Sequence, residues 1–216
     1  MLAILVIAST AILLVDFQLK LKGREENADL ISSSPGSATT SPLPRIDGTI
    51  SRSEYEHLYR DPDSSVELFW RIDESRGWIY FGLRCPLQGR VAISLEPTGP
   101  RMKGGDILVA YVKEDQINAQ DAYADQLTNQ TPDLDLGGTD DILEKAGSLG
   151  PQGTTVELVR PLATSDGFDK PITQDKMRIQ LACSELANFI GLYADSWSTI
   201  EINFYTGEPP AKVPAP

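Results

Sequence analysis

The sequence predicts an all-β protein, an immunoglobulin-like antiparallel β-sandwich behind an N-terminal membrane-targeting segment. Three observations carry this. From Ile46 onward, short runs rich in β-branched and aromatic residues recur between Gly, Pro and Asp turn signals. No stretch past residue 45 keeps a long, capped helical period. Residues 1–15 are apolar throughout, apart from Ser9 and Thr10.

That opening run is shorter than the ~20 apolar residues a membrane span usually needs, and suits the core of a signal peptide. Lys20, Lys22 and Arg24 follow it rather than precede it. Residues 1–22 are therefore expected to be a signal peptide or signal anchor. The alternative, a buried core helix, lacks a partner pattern in the next segment. Residues 23–44 contain runs of Ser, Thr, Pro and Gly that bury too little apolar area to offset chain entropy. They read as a disordered linker. Residues 45–207 form the predicted sandwich, and residues 208–216 a disordered Pro-rich tail.

Within the sandwich, Val66, Leu68, Trp70 and Ile72 alternate with Glu67, Phe69, Arg71 and Asp73, which is period two with an apolar face. A turn at residues 73–77 joins this run to residues 78–83 as a hairpin, with Gly77 supplying positive φ. Further strands are expected at residues 90–95, 107–112, 116–123, 154–160, 177–183 and 199–205. Residues 126–146 read as loop with at most one short helical turn. About eight strands fit a two-sheet sandwich, with an up-and-down barrel as the alternative.

The chain carries 19 basic and 31 acidic residues, a net charge of −12. Residues 1–44 hold 3 basic and 4 acidic side chains, so the acidity belongs to the domain. No basic face is available to neutralise phosphates, which excludes nucleic acid as a partner. His57 is the single histidine, which excludes sites needing two or three His ligands. No nucleophile elbow or phosphate-binding glycine loop occurs, and no carboxylate pair stands out, so no catalytic residues are assigned. No metal site is assigned either. Asp133, Asp135, Asp140 and Asp141 are hard ligands of the kind Ca²⁺ takes, but Gly137 occupies the third carboxylate slot of an EF-hand spacing. They read as a solvated acidic loop. Cys85 and Cys183 each end a strand. Outside the cytoplasm they form either a disulfide or two buried thiols.

Several stretches, in order, resemble the DOMON family. Residues 46–55 (IDGTISRSEY) look like the opening segment of prokaryotic members, and residues 66–70 and 78–83 like the first hairpin. Residues 89–95 (GRVAISL) resemble a G-W-V-A-I-G-F strand with Arg90 in the aromatic position. Residues 101–111 (RMKGGDILVAY) resemble the M-K-G-A-D-I-V-V-G-Y signature. The resemblance covers roughly residues 45–205. It implies an extracytoplasmic β-sandwich, secreted or membrane-anchored, that binds either b-type haem or sugars.

Met102, in a loop of turn formers and charges, matches the Met that is an axial haem ligand in the haem-binding members. The His that such members place near the last strands, after a Tyr, is replaced by Ala194 after Tyr193. The haem pocket is thus half retained, and His57 lies far away in sequence. Tyr193 and Trp197 are candidate pocket aromatics that stack on a sugar ring or a porphyrin. The expected function is a non-catalytic, membrane-tethered module binding a sugar or other small molecule. One alternative is a b-type haem electron-transfer domain, using Met102 and a redox partner protein. The other is a structural or protein-interaction domain with no small ligand.

Overall fold

The computed structural model describes residues 42–99, 102–126, 129–191 and 194–214. Residues 1–22, expected to be a signal peptide or signal anchor, and residues 23–41 of the expected linker lie outside these residues.

The alternating runs become strands of two antiparallel sheets. The first sheet contains β1 (His57–Arg60), β2 (Glu67–Asp73), β3 (Trp78–Cys85), β8 (Glu144–Gly150) and β9 (Gly153–Pro161), in the order β1-β2-β3-β9-β8. The second contains β4 (Val91–Leu95), β5 (Asp106–Lys113), β6 (Gln116–Tyr123), β7 (Thr131–Pro132), β10 (Met177–Cys183), β11 (Ser196–Ile202) and β12 (Ala211–Lys212). Its order is β12-β11-β10-β4-β5-β6-β7. The fold is a sandwich rather than a barrel. One short helix, α1 (Asp133–Leu136), sits in the stretch expected to be loop.

Alternation decides which residues meet between the sheets. Leu68, Trp70, Ile79, Phe81, Leu83, Val156 and Leu158 of the first sheet pack on Val91, Ile93, Leu95, Leu108, Ile179, Leu181, Ile200 and Ile202 of the second. Burial of these side chains is the main favourable term in folding. The Trp70 indole N–H donates to the Phe204 carbonyl at 2.9 Å. Cys85 on β3 and Cys183 on β10 are joined by a disulfide, Cα to Cα 5.7 Å, so a covalent tie links the two sheets.

The outer face of the first sheet is covered by the opening segment. Ile50 and Tyr55 pack on Phe69, Tyr80 and Val159, with Leu43 and Ile46 alongside. A Cβ at Gly82 would clash with Ile50 and Tyr55, so glycine there admits this layer. Glu157, buried on β9, anchors it by accepting from the Tyr55 hydroxyl (2.8 Å) and the N–H groups of Asp47 (3.2 Å), Gly48 (2.8 Å) and Thr49 (3.1 Å). Two expected boundaries differ. Leu43 belongs to this layer rather than to a free linker. In the Pro-rich tail, Ala211 and Lys212 pair with β11, and the Lys212 ammonium meets Asp63 at 2.6 Å.

Candidate functional site

The outer face of the second sheet carries a smaller apolar cluster. Register places Val109, Ala92, Ala182 and Trp197 side by side across β5, β4, β10 and β11. Cross-strand partners share a face, so the four form one row. Two alanines at its centre make a flat floor of small side chains. Met102, Ile107 and Ala124 join this cluster, and Phe189 and Ala194 pack against it from above. Trp197 ends the row half exposed, at 49 %.

The loop between β4 and β5 delivers Met102. Its turn is closed by Gly105 N–H to the Met102 carbonyl (2.9 Å) and tied to the strand ends by Gly104 N–H to the Ala124 carbonyl (2.7 Å). Gly104 has φ +73° and a Cβ there would overlap Thr98; a Cβ at Gly105 would overlap Ser94. Glycine at both positions lets the loop lie flat on the sheet. Met102 itself has φ 69° and is only 7 % exposed.

The loop between β10 and β11 delivers Phe189 and Ala194. Arg90, buried at the start of β4, donates from Nη1 to the carbonyls of Asn188 and Ile190, both at 3.1 Å. Burial lowers the Arg90 pKa, and the charge of Asp195 opposes this. Gln130 donates to the Phe189 carbonyl at 3.0 Å. The Phe189 ring lies 4.8 Å from the Tyr111 ring. Leu186, Ile190 and Trp197 leave an exposed apolar rim around this loop.

The solved structures with a similar fold include the cytochrome b domain of pyranose dehydrogenase from Coprinopsis cinerea. It aligns with TM-score 0.53 and 13 % identity over 69 % of this chain and 82 % of that one. The cytochrome domain of Myriococcum thermophilum cellobiose dehydrogenase aligns with TM-score 0.42 and 13 % identity, over 71 % and 90 %. At this identity the first likeness shows a shared sandwich. The sequence decides the family: residues 62–184, more than half of the chain, match the DOMON domain. The chain belongs to the DOMON family.

In this DOMON domain the structure brings Met102, Ala194 and Trp197 to one face of one sheet. Tyr193 lies outside the described residues. His57 stands on the other sheet, its ring stacked 4.9 Å from Trp70. The position where the resemblance places a second haem ligand holds Ala194, which has no donor atom, and Cys85 and Cys183 are joined in the disulfide. Among the described residues, Met102 thus meets no ligating side chain at Ala194 that would complete a two-ligand haem site. The floor alanines, Arg90 as loop anchor and Gln130 were not singled out by the sequence. The only signal was the small residue at 92 and 182 inside otherwise bulky strands.

The acidic loop is corrected. Asp135 and Asp140 are exposed as expected, but Asp133 is fully buried. It lies beside Asp166 and Asp169 and feels the charges of Asp106 and Arg160. Burial pushes the carboxyls of Asp121 to about 8 and of Asp133 and Asp169 to about 7, with neighbouring carboxylates adding to the rise. Asp106 is also raised by burial, against the pull of Arg160.

Proposed function

We propose that this DOMON domain is a non-catalytic binding module whose ligand packs on half-exposed Trp197 at the end of the Ala92–Ala182 row, which Met102, Phe189 and Ala194 cover. The observation that carries the reading is the meeting of Met102, Phe189 and Ala194 over that floor, with half-exposed Trp197 at its end. A floor of small apolar side chains flanked by a thioether and aromatic rings suits a sugar ring or a planar macrocycle. The ligand class favoured is a sugar or similar small molecule, because the partner position to Met102 carries no ligand atom. The second reading is a b-type haem electron-transfer domain. It is favoured by the buried Met102 thioether, a soft donor, and by the fold shared with the cytochrome b domain of pyranose dehydrogenase. Whichever ligand binds, the chain's part is to position it: Arg90 and Gln130 hold the roof loop, and Gly104 and Gly105 lay the Met102 loop on the sheet.

The disulfide supports an oxidising, extracytoplasmic location. Tethering to a membrane through residues 1–22, and a redox partner in the haem reading, belong to the same proposal. Among the described residues no helix is long and apolar enough to cross a membrane.

Tryptophan fluorescence of the full chain tests the site, with a panel of mono- and oligosaccharides and hemin as probes. A saturable change that is lost in Trp197→Ala and weakened in Met102→Ala is expected. No saturable change with either probe class would contradict a small-ligand site and leave a protein-interaction surface.

A further inference from the structure

Parity along the strands places a second cluster inside the sandwich, apart from the Met102 face. Asp106 on β5 and Arg160 on β9 share the inward face of Leu108 and Leu158, and Asp121 on β6 is the register partner of Leu108. The segment after β9 adds Asp166 and Asp169, and α1 adds Asp133. One carboxylate oxygen from each of Asp106, Asp121 and Asp169 lies within 4.8 Å of the others. The same holds for Asp133, Asp166 and Asp169, so Asp169 joins the two groups.

The outer oxygens of the cluster are already committed. Asp106 Oδ2 accepts from Arg160 Nη1 (2.7 Å) and from the Lys170 N–H (2.8 Å). Asp121 Oδ2 accepts from the Asp141 N–H at 2.9 Å, and Asp169 Oδ1 from Arg160 Nη2 at 3.1 Å. The remaining oxygens, Asp106 Oδ1, Asp121 Oδ1 and Asp169 Oδ2, are buried without a hydrogen-bond partner. Asp133 is the telling case: it is 0 % exposed and neither of its oxygens has a partner. A buried carboxylate with no donor is costly unless a cation or a proton meets it. Arg160 supplies one positive charge against four buried carboxylates.

We propose that Asp106, Asp121, Asp133 and Asp169, with Asp166 at the rim, bind a Ca²⁺ ion. The donors are all hard oxygens, with no imidazole or thiolate to select zinc or copper. Several converging carboxylates suit the 6–8 oxygen shell of Ca²⁺ better than Mg²⁺, which keeps its waters. The ion would pin the loop after β9 and α1 to the ends of β5 and β6, on the inward face of the second sheet, opposite the ligand floor.

The test is Ca²⁺ binding to the full chain after EDTA treatment and dialysis, by equilibrium dialysis and thermal unfolding. The expected result is about one Ca²⁺ per chain and a Tm rise of about 5 °C or more at a 100-fold excess over Kd. Mg²⁺ at the same concentration should give a smaller shift. Asp133→Asn and Asp121→Asn should each weaken Ca²⁺ at least about tenfold. Without Ca²⁺, both variants should be at least as stable as the wild type, because each removes a buried carboxylate. The wild-type titration stands by itself should a variant fail to fold. No Ca²⁺ uptake and no Tm shift up to about 10 mM, the weak end for extracellular modules and beyond, would overturn the proposal. An equal response to Mg²⁺ would overturn the choice of ion.

Discussion

Met102 holds a left-handed backbone at φ 69° while its side chain is buried among alanines and Phe189. Such a conformation costs about 1–3 kcal/mol in a non-glycine residue and persists only where surroundings enforce it. Met102→Leu keeps that backbone and most of the volume. It should change stability by less than about 1.5 kcal/mol while removing the thioether, which separates packing from ligand chemistry. Arg160 is the opposite kind of residue. Its guanidinium bridges Asp106 and Asp169 with no solvent exposure. Arg160→Met should cost about 3–5 kcal/mol by urea unfolding in calcium-free buffer at neutral pH, since it strands buried charges. His57 gives a clean titration because it is the single histidine. Burial lowers its pKa below the ordinary 6.5, against the pull of Glu56. The folded state therefore binds the proton less well than the unfolded state. His57's contribution to stability is full above pH 6.5 and declines as pH falls through and below that value. Its ring-proton shifts in NMR should report a midpoint under 6.5.

Eight strands were legible because their residues alternate between core and surface or are β-rich between turn residues, as in β2, β3 and β5. The strands the sequence hid are short or polar. β8 reads EKAGSLG, with no apolar face, and takes its place by pairing with β9. β1 is four residues of edge strand, and β7 and β12 are two residues each. The acidic run hid its buried member for a related reason. Asp133 differs from Asp135 only in which way the turn of α1 faces, which composition does not reveal. The β5–β6 hairpin offers an element-scale prediction. Glu114 and Asp115 occupy its two central positions at φ 53° and 57°. That geometry favours Asn-Gly. The double change Glu114→Asn, Asp115→Gly should stabilise the protein by roughly 0.5–1 kcal/mol, read as a raised urea midpoint at unchanged slope.

At the scale of the molecule, the disulfide closes a loop with a sequence separation of 98 residues and ties one sheet to the other. In the chain-entropy model such a closure is worth about 4–5 kcal/mol, so Cys85→Ala with Cys183→Ala should lose stability on that order. The sandwich and the family were readable from ordered short motifs. Of the candidate site, the sequence pointed to Met102, Ala194 and Trp197 but not to the floor and anchors, which are brought together by register between β4, β5, β10 and β11. We propose that the ligand floor is kept while Ala194 stands where haem-binding relatives place their second ligand. The most direct measurement is the visible spectrum of reduced protein with hemin, comparing wild type, Ala194→His and Ala194→His with Met102→Leu. Sharp low-spin α and β bands are predicted for Ala194→His, absent from wild type and lost again with Met102→Leu. Sharp bands already in the wild type, or the broad spectrum of free hemin in Ala194→His, would contradict the account.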